Sequence, residues 1–262
     1  MTESAPYRPP AQPEVKQISL DDVSGALRAG IHDFVRAPVF GLFFGGVYVL
    51  GGLFILACLM VFGIPWMIIP VAIGFPLIGP FVAVGLYEIS RRLERGEQLS
   101  WRGILTVVVQ QRHRQLGWMA FVVLFIFWIW IYQVRLLVAL FFGFRTFTSI
   151  PAFLDIALTT AQGLAFLGVG TLVGGFLALV LYSSTVIAMP LLLDRDIDFV
   201  TAMITSFRTV FSNPVPMLGF GLIVAALTIV ALLPAFAGLL MVLPVLGHAT
   251  WHLYTRAIAS GP

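Results

Sequence analysis

The chain has 262 residues, 60% hydrophobic and only 10% charged, with a net charge of +3 and a mean hydropathy of +1.00. A water-soluble domain carries roughly 25% charged residues, so this composition excludes a soluble globular protein, and the modest charge excludes a nucleic-acid partner. The single cysteine, Cys58, excludes an internal disulfide and a thiolate cluster.

Residues 1–18 are Pro-rich and polar. They lack the basic start and apolar core of a cleavable leader and predict a disordered cytoplasmic tail. Residues 19–258 then read as one membrane domain. A crossing helix needs about 20 apolar residues, and six segments qualify: 39–63, 66–89, 116–136, 163–189, 215–233 and 235–254. The predicted fold is all-α, a polytopic helix bundle of six transmembrane helices.

Basic residues favour the cytoplasmic side of a membrane. With the N-terminus placed there, Arg8, Lys16, Arg28, Arg36, Arg91, Arg92, Arg95, Arg102, Arg112, Arg114, Arg195, Arg208 and Arg256 fall inside. Only Arg135 and Arg145 fall outside. Both termini are therefore expected in the cytoplasm. Trp66, Trp128, Trp130 and Tyr132 would form the outer aromatic belt, and Trp101, Trp118, Trp251 and Tyr254 the inner one.

Three cytoplasmic segments carry helical apolar stripes. Val23, Leu27, Gly30, Ile31 and Phe34 mark the first, Trp101, Ile104, Leu105 and Val108 the second. Val200, Met203, Ile204, Phe207 and Phe211 mark the third. Each predicts a short amphipathic helix lying at the headgroup level. Ser19 with Asp22 would cap the first, and Asp196 or Asp198 the third.

The pattern suggests three repeat-like units, about 19–95, 99–190 and 194–257, each an interfacial helix followed by two spans. FVRAPV (34–39) aligns with VFSNPV (210–215), and IGPFVAVGLYEISRRL (78–93) with VLPVLGHATWHLYTRA (242–257). Gly41 and Gly45, and Gly170 and Gly174, have the GxxxG spacing that lets helices approach closely. Pro70, Pro76, Pro80 and Pro244 are expected to kink their spans. Residues 135–162, apolar but interrupted by Arg145 and Pro151, predict surface helices or an extended third span.

No charge falls in the middle of a predicted span, which argues against an ion-coupled pump. His248 and His252 stand four apart on one helical face and could reach one metal, with Glu88 the candidate third ligand. The simpler reading is that His248 hydrogen-bonds between helices and His252 sits in the cytoplasmic interface. The carboxylates of DRDID (194–198) fit a charged helix start. Arg91, Arg92, Arg95, Asp194 and Arg195 are candidate cytoplasmic-interface residues. There is no G-x-S-x-G, phosphate loop, H-E-x-x-H or CxxC, so no catalytic residue and no enzyme are expected. No cofactor is expected either, with haem or metal at the two histidines left open.

GPFVAVGLYEISRRLERGE (79–97), MPLLLDRDIDFVTAMITSFRTVFSNPVPML (189–218) and LGHATWHLYTRA (246–257) together resemble an uncharacterised, mostly proteobacterial family of integral membrane proteins with a domain of unknown function. Some members carry the label cytochrome c oxidase subunit I. That subunit resembles a twelve-span bundle with six histidine ligands, whereas this chain has four histidines in all. The resemblance therefore implies at most an accessory oxidase link. The composition and motifs together predict a non-catalytic scaffold or accessory subunit in the lipid bilayer, partnered by another membrane complex or by itself. The alternatives are a small-solute transporter or channel, lined by hydroxyls such as those of Tyr182, Ser183, Ser184 and Thr185, and an oxidase-associated metal- or haem-binding protein.

Overall fold

The computed structural model describes residues 13–60, 68–111, 115–143 and 150–259. The fold is all-α. In chain order the helices are α1 Leu20–Arg36, α2 Pro38–Met60, α3 Ile68–Glu94, α4 Trp101–Gln111, α5 Gln115–Phe142, α6 Ile150–Thr159, α7 Ala161–Thr185, α8 Ala188–Asp194, α9 Phe199–Ser212, α10 Pro214–Leu232 and α11 Leu239–Ala257. The junction of the first two expected spans, Gly63 to Trp66, and Arg8, Arg112, Arg114 and Arg145 lie outside the described residues.

Local chemistry sets the helix ends. The Ser19 hydroxyl accepts from the Asp22 N–H while the Asp22 carboxylate accepts from the Ser19 N–H at 2.8 Å, a capping box that starts α1. Asp198 starts α9 by accepting from the Thr201 N–H at 2.9 Å. These hydrogen bonds, from the Ser19 backbone and hydroxyl and from the Thr201 hydroxyl and backbone, hold both carboxyls below their ordinary range. The caps are thus at full strength above about pH 4 and fade as pH falls below it. Both helices end where a proline starts the next one, because proline removes the N–H that would continue the ladder. The last residue before each proline adopts nearly the same conformation, φ −131°, ψ 51° at Ala37 and φ −130°, ψ 57° at Asn213. The joint is built twice, once in FVRAPV and once in VFSNPV. At Pro38 it turns the chain by 102°.

The described residues form two compact units, residues 1–120 with 183–262 and residues 121–182. In the first, α1, α2 and α3 pack against α11. Its core gathers Val82, Leu86 and Ile89 of α3, Phe44 of α2 and Ile104 of α4. The predicted GxxxG pair of α2 serves this packing: a Cβ on Gly41 would strike Phe34 and Pro244, and one on Gly45 would lie 2.8 Å from the Leu240 carbonyl of α11. The second unit holds most of α5, with α6 and α7. Phe142, Phe153 and Phe166 cluster there, with ring centroids 5.0–6.2 Å apart. Gly170 and Gly174 are looser than Gly41 and Gly45, with Leu137 and Trp130 at ordinary contact distances of 3.9 and 4.0 Å. Helix α5 runs on to Phe142, so residues 135–142 extend the third span, one of the two forms expected for this segment.

Residues 14–18 pair with distant parts of the chain. The Lys16 N–H donates to the Ala257 carbonyl at 2.8 Å and the Ala259 N–H to the Glu14 carbonyl at 3.0 Å. Asn213 locks the pairing: its amide oxygen accepts from the Ile18 N–H at 2.9 Å, and its amide nitrogen donates to the Lys16 carbonyl at 3.1 Å. Backbone groups of a polar stretch were satisfied here by the other end of the chain, a pairing without sequence periodicity. Asn213→Ala should leave the Ile18 N–H unpaired and cost about 1–2 kcal/mol, read as a lower unfolding temperature with faster proteolysis ahead of α1.

Helices α1, α4 and α9 form over the expected segments; the apolar stripe of α9 points outward, and those of α1 and α4 divide, with Val23, Gly30 and Ile104 buried and Ile31, Trp101 and Leu105 exposed. On α9 the buried face is Ala202, Thr205, Ser206, Thr209 and Val210, while Val200, Ile204 and Phe211 are exposed, Phe211 to 72%. The buried hydroxyls of Thr205 and Thr209 donate to carbonyls one turn back at 2.8 Å, and the Ser206 hydroxyl accepts from the Ile187 N–H at 3.1 Å. A hydroxyl face satisfied inside and an aromatic face left outside suit a lipid surround and not water. On α1 the buried stripe is Val23, Ala26, Gly30 and Asp33, one position round from the expected one, and Ile31 and Val35 are exposed.

Six crossing helices are not what the described residues display. Three stretches are long and apolar enough: α5, α7 with α8 (Ala161–Asp194), and α10. A fourth arises if the bent α1–α2 pair counts as one. Helix α2 ends and α3 begins beside undescribed residues. In α11 the apolar run is spent by Gly247, and His248, Thr250, His252, Thr255 and Arg256 make its second half polar.

Candidate functional site

That polar half of α11 is the most enclosed part of the first unit. His248, Trp251, His252, Leu253, Tyr254 and Ala257 are all buried. Trp251 and Tyr254, expected in the inner aromatic belt, are core residues instead, 2% exposed each. Their polar tips explain the difference, since each finds a carboxylate inside the protein. The Trp251 indole N–H donates to Glu94 at 2.8 Å and the Tyr254 hydroxyl to Asp194 at 2.8 Å. Trp101 and Trp118 keep their surface positions, the first against Phe40 at 4.2 Å and the second stacked on Phe199 at 5.9 Å.

His252 is the centre. Its Nε2 lies 2.7 Å from Asp33 Oδ2 on α1, and its Nδ1 lies 3.0 Å from Glu94 Oε1 on α3. An imidazole facing a carboxylate oxygen through each nitrogen donates at both, and only the imidazolium can do that. The geometry therefore sets one positive ring between two negative carboxylates, joining three helices. For Glu94, burial works to raise its pKa, but the hydrogen bonds from His252 and Trp251 outweigh it and hold the carboxyl below its usual range.

Ser90 of α3 shares a 2.8 Å hydrogen bond with His248 Nδ1. His248 Nε2 is buried and has no hydrogen-bond partner among the described residues.

A second ring of charges surrounds the first. Glu88 is fully buried between Arg91, at 2.5 Å, and Arg92, at 2.6 Å. Arg91 also donates to the Leu193 carbonyl at 3.4 Å, at the end of α8. Asp194 sits 3.6 Å from Arg95 and accepts from Tyr254, and Arg195 donates to the Ala259 carbonyl. The expected interface residues Arg91, Arg92, Arg95, Asp194 and Arg195 are thus brought together around the end of α11. They act as fasteners of the fold as much as a surface.

The two histidines do not share a ligand position. Both nitrogens of His252 are spent on carboxylates, and a metal needs a free lone pair. Glu88, the candidate third ligand, is held by two arginines. Among the described residues no group of three or more His, Cys, Asp or Glu could hold a metal ion. Asp33, Ser90 and Glu94 went unnoticed in the sequence. For Asp33 a signal existed: it continues the small-residue stripe Val23, Ala26, Gly30 at i+10, where a carboxylate must find a partner if the stripe is buried.

The segment that carries α3 through α8 decides what the chain resembles. Residues 67–194 match the family model of DUF2189, described as a predicted integral membrane protein. The DUF2189 segment supplies Glu88, Ser90, Arg91, Arg92, Glu94, Arg95 and Asp194 to the cluster, while Asp33, His248 and His252 come from outside it. No curated protein and no solved structure matches the chain. The chain is accordingly a multi-pass integral membrane protein by helix composition, in contact with the lipid bilayer.

Proposed function

We propose that this chain is a non-catalytic scaffold or accessory subunit of a bacterial inner-membrane assembly. The observation that carries the reading is that the charged groups of the cluster are spent on its own fold. His252 is met by Asp33 and Glu94, Glu88 by Arg91 and Arg92, and Asp194 by Tyr254 and Arg95. A catalytic or conducting site keeps polar groups for a substrate; here they fasten α1, α3, α8 and α11 into one body. The apolar surface goes the other way, with Trp128, Trp130 and Leu172 left exposed on α5 and α7. These suit lipid or a neighbouring membrane protein.

The reading extends to topology. Residues 14–16 pair with 257–259, so both ends lie on one side and the chain crosses an even number of times. Even parity is compatible with the six-span arrangement and with four spans, both termini lying in the cytoplasm where the arginines gather. Native electrophoresis of gently solubilised membranes tests the role. The tagged chain should run in a discrete assembly well above its own 28.7 kDa. A lone chain that moves solute or ions once reconstituted would overturn the scaffold reading in favour of transport.

A further inference from the structure

Three arginines of the first unit differ from those of the cluster. Arg36 stands at the end of α1 beside Val35 and Val39, which are 68% and 64% exposed. Arg102 lies on α4 between Trp101 and Leu105, and Arg208 on α9 between Ile204 and Phe211, all exposed. None of the three has a carboxylate partner among the described residues, whereas Arg91, Arg92 and Arg95 are all paired. The acids close to them in sequence are engaged elsewhere: Asp33, three residues before Arg36, is held by His252, Asp198 caps the start of α9, and α4 carries no acid.

Trp101, next to Arg102, packs at a tilt on Phe40 in the first turn of α2, and Trp118 of α5 stacks on Phe199 at the start of α9, the helix that carries Arg208. Aromatic pairs at span entrances mark the membrane–water interface. An arginine there lays its stem along apolar surface and presents its guanidinium fork at headgroup level. That fork matches a phosphate bidentately.

We propose that Arg36, Arg102 and Arg208 form a binding surface for the anionic phospholipids of the bilayer, so that the chain recruits acidic lipid in preference to zwitterionic lipid. The exposed apolar residues Ile31, Val35, Leu105, Ile204 and Phe211 supply insertion, and the three guanidinium groups, without a carboxylate partner among the described residues, supply headgroup selection. Each basic residue near an anionic surface contributes roughly a fivefold preference. This surface is independent of the scaffold reading and would stand if that reading failed.

The test uses the full chain in mild detergent, with phosphatidylglycerol or phosphatidylcholine added at equal mole fraction. Thermal unfolding should rise more with phosphatidylglycerol, and the difference should shrink at high salt. It should vanish in the Arg36→Gln, Arg102→Gln, Arg208→Gln triple variant. Equal stabilisation by both lipids, or an undiminished preference in the triple variant, would overturn the proposal. So would inorganic phosphate matching phosphatidylglycerol, which would assign the arginines to soluble anions. If the triple variant does not fold, lipid adducts on each single variant decide: a several-fold loss of phosphatidylglycerol adducts supports the surface, and no loss in any of them sinks it.

Discussion

His252→Ala is expected to destabilise the protein by about 3–5 kcal/mol, because it leaves two carboxylates without their shared counter-charge. Asp33 is 6% exposed at its side chain and can recover little from water; Glu94, at 38%, recovers more. The loss should therefore be traced mainly to Asp33. A double-mutant cycle separates this from simple loss of packing. Asp33→Asn in the His252→Ala background should restore part of the stability, since it removes the stranded charge. Unfolding followed by tryptophan fluorescence in detergent reads both. A His252→Ala variant as stable as the parent, or an Asp33→Asn change that adds its full cost on top, would count against the charge-centred account.

Gly30→Val should be the second severe change, at about 3 kcal/mol or more. Helix α1 crosses α11 at this glycine so closely that a Cβ would lie 2.7 Å from both the Ala249 nitrogen and the Val245 carbonyl oxygen. Backbone stands on that side, and it cannot turn aside as the tip of a side chain can. The helices must separate, which also lengthens the nearby Asp33–His252 contact, so the cost lies at or above the upper end for overpacking. Gly219→Ala provides the contrast. Its Cβ would meet only Leu20 Cδ2, at 3.6 Å, and alanine is the better helix former by about 1 kcal/mol. It should be neutral or stabilising. If Gly30→Val and Gly219→Ala unfold at the same temperature, the close crossing does not matter to the fold.

Composition made the membrane class plain, since so few charges cannot cover a soluble surface. The capped amphipathic helices were legible from Ser19–Asp22 and Asp198, whose short side chains reach only their own helix. The prolines at 38 and 214 were legible for the same reason: their effect is local. What the sequence hid depends on distant partners. Asp33 and His252 are 219 positions apart, and neither stands in a motif. Trp251 and Tyr254 have belt-like composition, and only the carboxylates of Glu94 and Asp194 draw them inside. The stripe of α9 was read correctly as a period, but a period does not say whether its apolar face meets protein or lipid. Here the small hydroxyl residues packed inward, because a helix can approach its neighbours more closely on that side.

The most direct test of the account is the sidedness of the two chain ends. In a Cys58→Ser background, Gln17→Cys and Ser260→Cys are made singly and probed with a membrane-impermeant maleimide in intact and in permeabilised cells. The account predicts that both positions stay unlabelled until the membrane is opened, since paired ends share the cytoplasmic side. Labelling of one position in intact cells and not the other would contradict it, separating the termini and with them the even number of crossings.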